Sequence, residues 1–290
     1  MGSAFAAIVL WPSFAFAVET TSLNVLVVHA YHDGIPWQRN IQLGIEEELA
    51  ADKSIRVRQF IERMDKARFG NTLDEDIYAK FLETKYAAIK IDLVVATAYQ
   101  SVLFVQKYRR IFGSAKVVLA TTTKVNIPDG VHRDTVQLPI TPDHRTALET
   151  VLSLHPNARR VFVVGENTKG GRLHIRNVKA AAEKLSRPVE FEYFTDYSMD
   201  ELLQRVGDLP PDTVVYSLLV FRDNTGARFT PGQVIKNISV NANAPVHSHW
   251  DTLIGKGVVG GYLIRAELAG KASVRAGIRM LRGGEGDQIA

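Results

Sequence analysis

Residues 23–37 read LNVLVVHAYHDGIPW and contain the clearest structural signal in the chain. The opening residues, 23–28, are almost all apolar and rich in valine, which is typical of a strand buried on both faces of a parallel sheet. A polar and aromatic loop follows, and an apolar helical pattern then begins. Because ligands of open α/β sheets bind at the carboxyl ends of the strands, we expect this loop to face a binding site.

The alternation of apolar strand and amphipathic helix continues through the chain. Predicted strands cover residues 23–28, 55–61, 91–96, 116–120, 136–140, 160–165, 189–194, 213–220, 245–248 and 258–264. The pattern starts again near residue 141, where Thr141 is a candidate cap and Pro142 a candidate first residue of a helix. Two successive units favour an α/β fold with two Rossmann-like lobes, each with a parallel sheet, joined by a hinge.

The composition excludes several classes of protein. The net charge of +4 is modest and the basic residues are scattered among acidic ones, which argues against nucleic-acid binding. The absence of cysteine excludes a disulfide framework, a thiol nucleophile and a Cys-ligated zinc site. The sequence also lacks a G-x-S-x-G elbow and an H-E-x-x-H motif, so we predict neither an enzyme nor a bound cofactor.

The N-terminal segment, residues 1–22, has the features of an export signal. Residues 4–16 are apolar, and Ala15-Phe16-Ala17 has the small-x-small form of a cleavage site. The segment is therefore predicted to be a signal peptide or the remnant of a membrane anchor, and the protein to be periplasmic. The start carries no Lys or Arg, which leaves a buried N-terminal helix as the alternative, although Pro12 argues against it.

Several motifs resemble one known family. They are residues 27–37 (VVHAYHDGIPW), Gly44-Ile45-Glu46, and residues 61–68 (IERMDKAR), 221–231 (FRDNTGARFTP), 247–252 (HSHWDT) and 255–263 (GKGVVGGYL). In this order they resemble the ABC-transporter substrate-binding-protein-like family, which includes the periplasmic sensor domains of histidine kinases. The resemblance implies a type I periplasmic-binding-protein fold with three crossovers, whose hinge closes the lobes around a ligand.

The resemblance also implies a function and a division of the chain. We expect residues 23–137 to form lobe 1, residues 138–254 to form lobe 2, and residues 255–290 to return a strand and a helix to lobe 1. The implied function is recognition of a small molecule of unknown identity by the sensory input region of a membrane signalling protein, such as a histidine kinase. The alternative is a free periplasmic substrate-binding protein, whose partner would be the permease of an ABC importer.

The candidate ligand-binding residues follow the predicted strands at their carboxyl ends, where the two lobes of such a fold would meet. Lobe 1 contributes Tyr31, His32, Trp37, Tyr99, Gln100, Thr121, Thr122 and Thr123. Lobe 2 contributes Glu166, Asn167, Gly171, Phe221, Arg222, Asp223, His249, Trp250 and Asp251.

Each chemical assignment has an alternative. Arg222 could hold a carboxylate or a phosphate, or it could pair with Asp223 in a turn. Trp37 and Trp250 could stack on a ligand ring or wedge the hinge.

Several histidines and glycines also allow both a functional and a structural interpretation. His29, His32, His247 and His249 suggest a metal site, but no H-x-x-x-H helix or carboxylate cluster supports one, so none is predicted. The glycines of residues 165–171 could meet an anion, although loop flexibility explains them better. Gly260 and Gly261 are expected at a close contact or a hinge.

Overall fold

The computed structural model describes residues 21–70, 72–122, 125–127 and 132–284. Most of the predicted export segment and Thr123 therefore lie outside the described residues. Within these ranges the chain forms two sheets in which all neighbouring strands are parallel. This arrangement confirms the predicted α/β class with two Rossmann-like units.

The first sheet has the order β2-β1-β3-β4-β5 and the second has the order β7-β6-β8-β9. The strands of the first sheet are β1 (Thr21–His29), β2 (Ile55–Arg63), β3 (Leu93–Thr97), β4 (Lys116–Thr121) and β5 (Thr135–Pro139). Those of the second are β6 (Arg160–Val164), β7 (Glu190–Phe194), β8 (Thr213–Ser217) and β9 (Val246–His247).

Helices connect the strands. They are α1 (Pro36–Ala51), α2 (Lys66–Phe69), α3 (Glu75–Lys85), α4 (Tyr99–Lys107), α5 (His144–Leu154), α6 (Lys169–Ala182), α7 (Met199–Gly207), α8 (Pro231–Asn241) and α9 (Ala266–Leu281). In the described part of the chain, we find no helix with the length and apolar character needed to span a bilayer.

Strand β1 is an interior strand of the first sheet, because it pairs with β2 on one side and β3 on the other. Its side chains alternate between two apolar cores. Leu26 and Val28 face the core that contains α3 and α4, whereas Val25 and Val27 face the core that contains α1 and α9. All four are fully buried. Burial on both faces explains why this strand is a continuous apolar run.

Helix α9 has the predicted bounds, residues 266–281, and it packs on the first unit beside α1. The two helices approach so closely that glycine is needed at the contact. A Cβ atom on Gly44 would lie 2.0 Å from the carbonyl oxygen of Glu267, and one on Gly270 would lie 2.1 Å from the carbonyl oxygen of Ile41. Helix α9 is thereby fixed against α1.

The chain passes between the two units twice in the described residues. The first passage lies between β5 and α5, and the second lies between β9 and α9. The third crossover that the resemblance implies is not among the described residues.

The strand predicted over residues 258–264 is wrong. This segment is irregular, and only Ile264 pairs, in an isolated bridge with Trp250. The φ angles of Gly257, Gly260 and Gly261 are +112°, +132° and +141°, values that interrupt a regular strand. A Cβ atom on Gly260 would meet nothing within 4 Å. Gly260 therefore supplies a backbone conformation and makes no close contact, and of the two expected roles only that of a hinge stays a prediction.

The predicted cap of α5 is also wrong. The cap is Asp143, whose carboxylate accepts the backbone N–H of Thr146 at 3.0 Å, and not Thr141. Asp is at least as good a cap as Thr because its carboxylate accepts strongly, so the helix begins two residues later than Pro142 suggested.

We expect the substitution Gly44→Ala to lower the free energy of unfolding by about 1–3 kcal/mol, because its methyl group would overlap a backbone carbonyl that cannot rotate away. Urea unfolding measures this change. Gly232→Ala in α8 is the matched control, since its nearest neighbour to a new Cβ lies 4.0 Å away. Equal stability of the two variants would contradict the close contact between α1 and α9.

Candidate functional site

The loops at the carboxyl ends of the two sheets meet through aromatic side chains. The Tyr31 ring, after β1, stacks on the Phe221 ring, which follows β8, with centroids 6.2 Å apart. The Trp37 ring meets the edge of the Trp250 ring at 4.8 Å. These four candidate residues from the two units are therefore neighbours, and we call the region around them the cleft.

Tyr31 is held by two polar contacts. Its hydroxyl donates to Oε1 of Gln100 at 3.0 Å, and its backbone N–H donates to Oε1 of Gln38 at 3.2 Å. Burial raises the pKa of Tyr31 to about 12, the Gln100 hydrogen bond acts in the opposite direction, and the nearby Glu166 charge raises it further. The phenol stays protonated at neutral pH and acts as a hydrogen-bond donor.

Trp37 and Trp250 contact each other and differ in how deeply they are buried. Trp250 is 4% exposed and belongs to the core of the second unit, where it packs with Leu253. Trp37 is half-buried and contacts both that core and the small cluster around Ile41 in the first unit. Trp37 thus packs against both units, and whether either tryptophan also stacks on a ligand ring stays a prediction.

A buried polar network lies beneath the first loop. Nε2 of His29 donates to Oε1 of Gln42 at 2.8 Å, so Nδ1 is the acceptor and receives the Thr97 hydroxyl at 2.7 Å. The Thr97 oxygen in turn accepts Nε2 of Gln38 at 3.2 Å. Sequence reasoning considered His29 only as a metal ligand and missed this network. The register of His29 opposite Thr97 at the ends of β1 and β3 was the available signal.

Glu166 is a buried carboxylate that holds the opposite loop. One oxygen accepts the backbone N–H groups of Phe221 at 2.7 Å and Arg222 at 3.2 Å, and the other accepts the Thr168 hydroxyl at 2.7 Å. Gly171 lies against it, because a Cβ there would be 2.1 Å from the Glu166 carbonyl oxygen. Close packing, and not the flexibility that we expected, explains this glycine.

Arg222 and Asp223 do not pair with each other, so that alternative is wrong. The Asp223 carboxylate accepts the backbone N–H groups of Thr225 and Ala227 at 3.0 Å each, and that of Met199 at 3.2 Å. These bonds and that from the Thr225 hydroxyl, the largest cause, lower the pKa of Asp223. Arg222 is exposed, and its guanidinium forms no ion pair within the described residues.

Asp251 lies where the chain returns to the first unit. Its Oδ2 accepts the backbone N–H of Ala266, the first residue of α9, at 3.2 Å. Burial raises the pKa of this carboxyl. Asp251 therefore joins the second unit to the start of the returning helix, a contact that the sequence did not reveal.

The remaining candidates are dispersed. Tyr99 packs on the core of the first unit, the carbonyl of Thr121 accepts the N–H of Ile140 at 3.0 Å, and Thr122 is half-buried. His32 accepts the N–H of Gly34 at 3.1 Å, and the exposed Asn167 accepts from Arg172. Ligand contact by these residues stays a prediction.

The histidines do not form a metal centre in the part of the chain that the structure describes. No group of three or more His, Asp or Glu side chains is arranged there to hold a metal ion. Two hollows on the surface lie along α1, one of them beside β2 and the other beside Asp33 and Gly34, and none of the candidate ligand-binding residues lines either hollow.

The fold is similar to that of solved substrate-binding proteins. A ligand-free, open substrate-binding protein with adhesive properties from Clostridium difficile is 14% identical, with a TM-score of 0.65 over 91% of this chain and 86% of that chain. An ABC domain in complex with L-Trp from Streptococcus pneumonia is 16% identical, with a TM-score of 0.60 over 91% and 86%. A solute-binding protein in complex with 4-hydroxybenzoate from R. palustris is 11% identical, with a TM-score of 0.59 over 92% and 82%.

These likenesses confirm the type I periplasmic-binding-protein-like fold that the resemblance implied. Protein-family models and curated protein sequences gave no match to this chain.

We expect Glu166→Ala to lower the free energy of unfolding by about 2–4 kcal/mol, since it leaves two backbone N–H groups without their acceptor. Urea unfolding gives the loss, and faster amide exchange in residues 221–229 locates it. The neighbouring variant Asn167→Ala, which removes an exposed side chain, is the control and should change stability by less than about 0.5 kcal/mol. A loss of the same size in both variants would contradict the role of Glu166 in holding the loop that bears Phe221.

We expect His29 to make stability depend on pH between about 6.5 and 4. Burial lowers the pKa of His29 to about 4, and the Arg63 charge adds to this, whereas the Gln42 bond opposes it. The unfolded chain, with an ordinary histidine pKa near 6.5, therefore binds the proton first as the pH falls. The contribution is complete above pH about 6.5 and is lost toward pH 4, by up to about 3 kcal/mol.

Unfolding free energies of the wild type and of His29→Gln at pH 7.5 and pH 4.5 test this expectation. The other titrating groups are common to both proteins, so the difference between the two pH dependences belongs to His29. Parallel dependences would show that His29 titrates equally in the folded and unfolded states.

Proposed function

We propose that this chain is an extracytoplasmic domain that binds a small molecule between its two lobes, and that it is the sensory input region of a membrane signalling protein such as a histidine kinase. In this proposal residues 23–137 with 255–290 move as lobe 1, and residues 138–254 move as lobe 2. Binding acts by shifting the population toward the closed state, to the extent that the ligand prefers that state.

The observation that carries the proposal is the pair of aromatic contacts across the cleft. Tyr31 with Phe221, and Trp37 with Trp250, join loops that belong to different sheets. Such contacts are worth about 0.5–1.5 kcal/mol each beyond the area they bury, which is small enough to be broken when the lobes separate. The same faces would then be available to an aromatic or apolar part of a ligand.

Polar groups around these rings would orient the ligand. The Tyr31 hydroxyl and Gln100 are already joined, and the free guanidinium of Arg222 stands at the end of the loop that Glu166 holds. An aromatic carboxylate fits this set, because a ring would replace one aromatic partner and the carboxylate would pair with Arg222. The ligands of two related folds, L-Trp and 4-hydroxybenzoate, have this chemistry and serve as probes.

The alternative function is that of a free substrate-binding protein of an ABC importer. It is supported by the names of several similar structures, which are ABC solute-binding proteins. Both functions require the same cleft and differ only in the membrane partner that reads its closure. Neither includes catalysis, in line with the absence of catalytic motifs.

We expect Arg222→Ala to weaken binding of the carboxylate probe by about tenfold or more, because a charge-assisted hydrogen bond is worth about 1.5–3 kcal/mol. Calorimetric titration with L-Trp and with 4-hydroxybenzoate measures the affinity. Arg160→Ala is the control, because it removes one positive charge at the amino end of β6, away from the cleft, where Arg160 pairs with Glu190 at 3.0 Å. Unchanged affinity in Arg222→Ala, or binding of neither probe by the wild type, would contradict this site.

Fractionation of the native source separates the two functions. A sensor is expected as a membrane-retained species much larger than this chain, whereas an importer's binding protein is expected in the soluble periplasmic fraction near the mass of residues 18–290. Intact-mass measurement of both fractions decides between them.

A further inference from the structure

Four of the eight histidines lie at the two ends of α5. His144 is the first residue of this helix and His155 is its C-terminal cap. Both continue the face of the helix that packs on the second sheet, because the spacing is i, i+3, i+4, i+7, i+8 and i+11. The residues of this face are His144, Ala147, Leu148, Val151, Leu152 and His155.

The two other histidines lie opposite α5, at the end of the second sheet. His247 is the last residue of β9, and His249 lies in the bend that follows the strand. Tyr216 is the register partner of His247 in the neighbouring strand and belongs to the core that α5 covers. The ring of His144 lies 4.7 Å from that of His249, and the ring of His155 lies 4.9 Å from that of His247.

The start of α5 is fixed by a single hydroxyl between two imidazoles. The Tyr216 hydroxyl lies 3.0 Å from Nδ1 of His249 and 3.3 Å from Nδ1 of His144. It donates to one of them and accepts from the other, so the two neutral rings have opposite tautomers. Nε2 of each ring is buried without a partner. A proton added to either ring would either displace the tyrosine hydrogen or leave a charge at a buried, unpartnered nitrogen.

The end of α5 is fixed by a direct bond between two imidazoles. Nδ1 of His247 lies 2.8 Å from the carbonyl of Gly260 and must donate to it, which leaves its Nε2 as an acceptor. Nε2 of His155 donates to that atom at 2.8 Å. His247 can accept a further proton only at Nε2, where it would face the N–H of His155.

The surroundings do not compensate such charges. The negative charge of Asp143 favours protonation of His144, but this carboxylate already accepts hydrogen bonds from the N–H and the hydroxyl of Thr146. His174 on α6 opposes protonation of His144. The guanidinium of Arg187 donates to carbonyls at the end of α5, including that of His155 at 3.2 Å, and adds positive charge there. Among the described side chains, no carboxylate bonds to any of the four rings.

We propose that these two histidine pairs form an acid-sensitive latch, which docks α5 on the second sheet when both pairs are neutral and releases it in acid. Since α5 follows the first passage of the chain between the two units, its release loosens the attachment of the second unit at the hinge. This inference depends on the geometry of α5 and not on the identity of the ligand.

The direction of the pH effect follows from burial. Burial, the largest cause, lowers the pKa of His144 to about 4 and also lowers the pKa of His247 and of His249. When α5 is released, His144, His247 and His249 are no longer buried beneath it, and the pKa of each returns toward the ordinary histidine value near 6.5. The docked state is therefore most favoured above pH about 6.5 and loses its advantage as the pH falls toward 4.

Hydrogen exchange of the whole protein at pH 7.5 and pH 5.0, corrected for the intrinsic pH dependence of exchange, tests the latch. We expect protection of residues 144–154 to fall at least tenfold in acid, while residues 266–281 of α9 change less than twofold. Loss of protection in both helices alike, or in neither, would overturn the proposal.

The variant His144→Gln/His155→Gln gives the second test. A glutamine amide can turn its oxygen toward a protonated His247 or its nitrogen toward a neutral one, so acid should reduce protection of α5 less than threefold. Leu154→Gln, at an exposed position of the same helix, leaves the four histidines in place and should behave as the wild type. If the double variant does not fold, the half-buried His155→Gln alone should show a smaller acid effect than the wild type. A wild-type acid response in the glutamine variant that folds would overturn the latch.

Discussion

The contact between α1 and α9 is the constraint on which the two-lobed arrangement depends. The backbones of these helices touch at Gly44 and Gly270, where no side chain fits between them. This contact returns the end of the chain to the unit in which it began and covers one face of the first sheet, including Val25 and Val27. The second unit therefore lies between two passages of the chain, one between β5 and α5 and the other between β9 and α9.

The carboxyl ends of the strands are where the two units meet, and their chemistry is divided between apolar contact and buried polar bonds. The aromatic pairs join the two units without directional bonds, and each pair contributes about 0.5–1.5 kcal/mol beyond the area that it buries. Two hydrogen bonds also cross between the units, from the N–H of Ala266 to Asp251 and from Arg228 to the carbonyl of Ala67. The other polar groups of the site act within one unit. His29 and Thr97 hold the loop that bears Tyr31, and Glu166 holds the loop that bears Phe221. Each unit thus holds its loop in place at the cleft by hydrogen bonds of its own.

Several carboxylates and imidazoles that would be read as ligand contacts instead satisfy the backbone or one another. Asp223 closes a turn, Asp251 starts α9, and the four histidines around α5 bond within two pairs. Buried polar groups need such partners because leaving one unsatisfied costs about 1–3 kcal/mol. The free guanidinium of Arg222 is therefore more informative about a ligand than the acidic side chains near it.

The sequence by itself determined the fold class, the strand cores and the bounds of α9, because apolar periodicity reports burial directly. It also indicated that Tyr31, Trp37, Phe221 and Trp250 would lie together, since strand ends share one edge of each sheet. Only the tertiary structure decided how polar side chains are used. The bond of Glu166 to residues 55 positions away, the angles at Gly260 and Gly261, and the pairing of His155 with His247 depend on where distant segments meet. Local sequence patterns do not predict such partners, because a hydrogen bond between residues far apart in the sequence produces no periodicity.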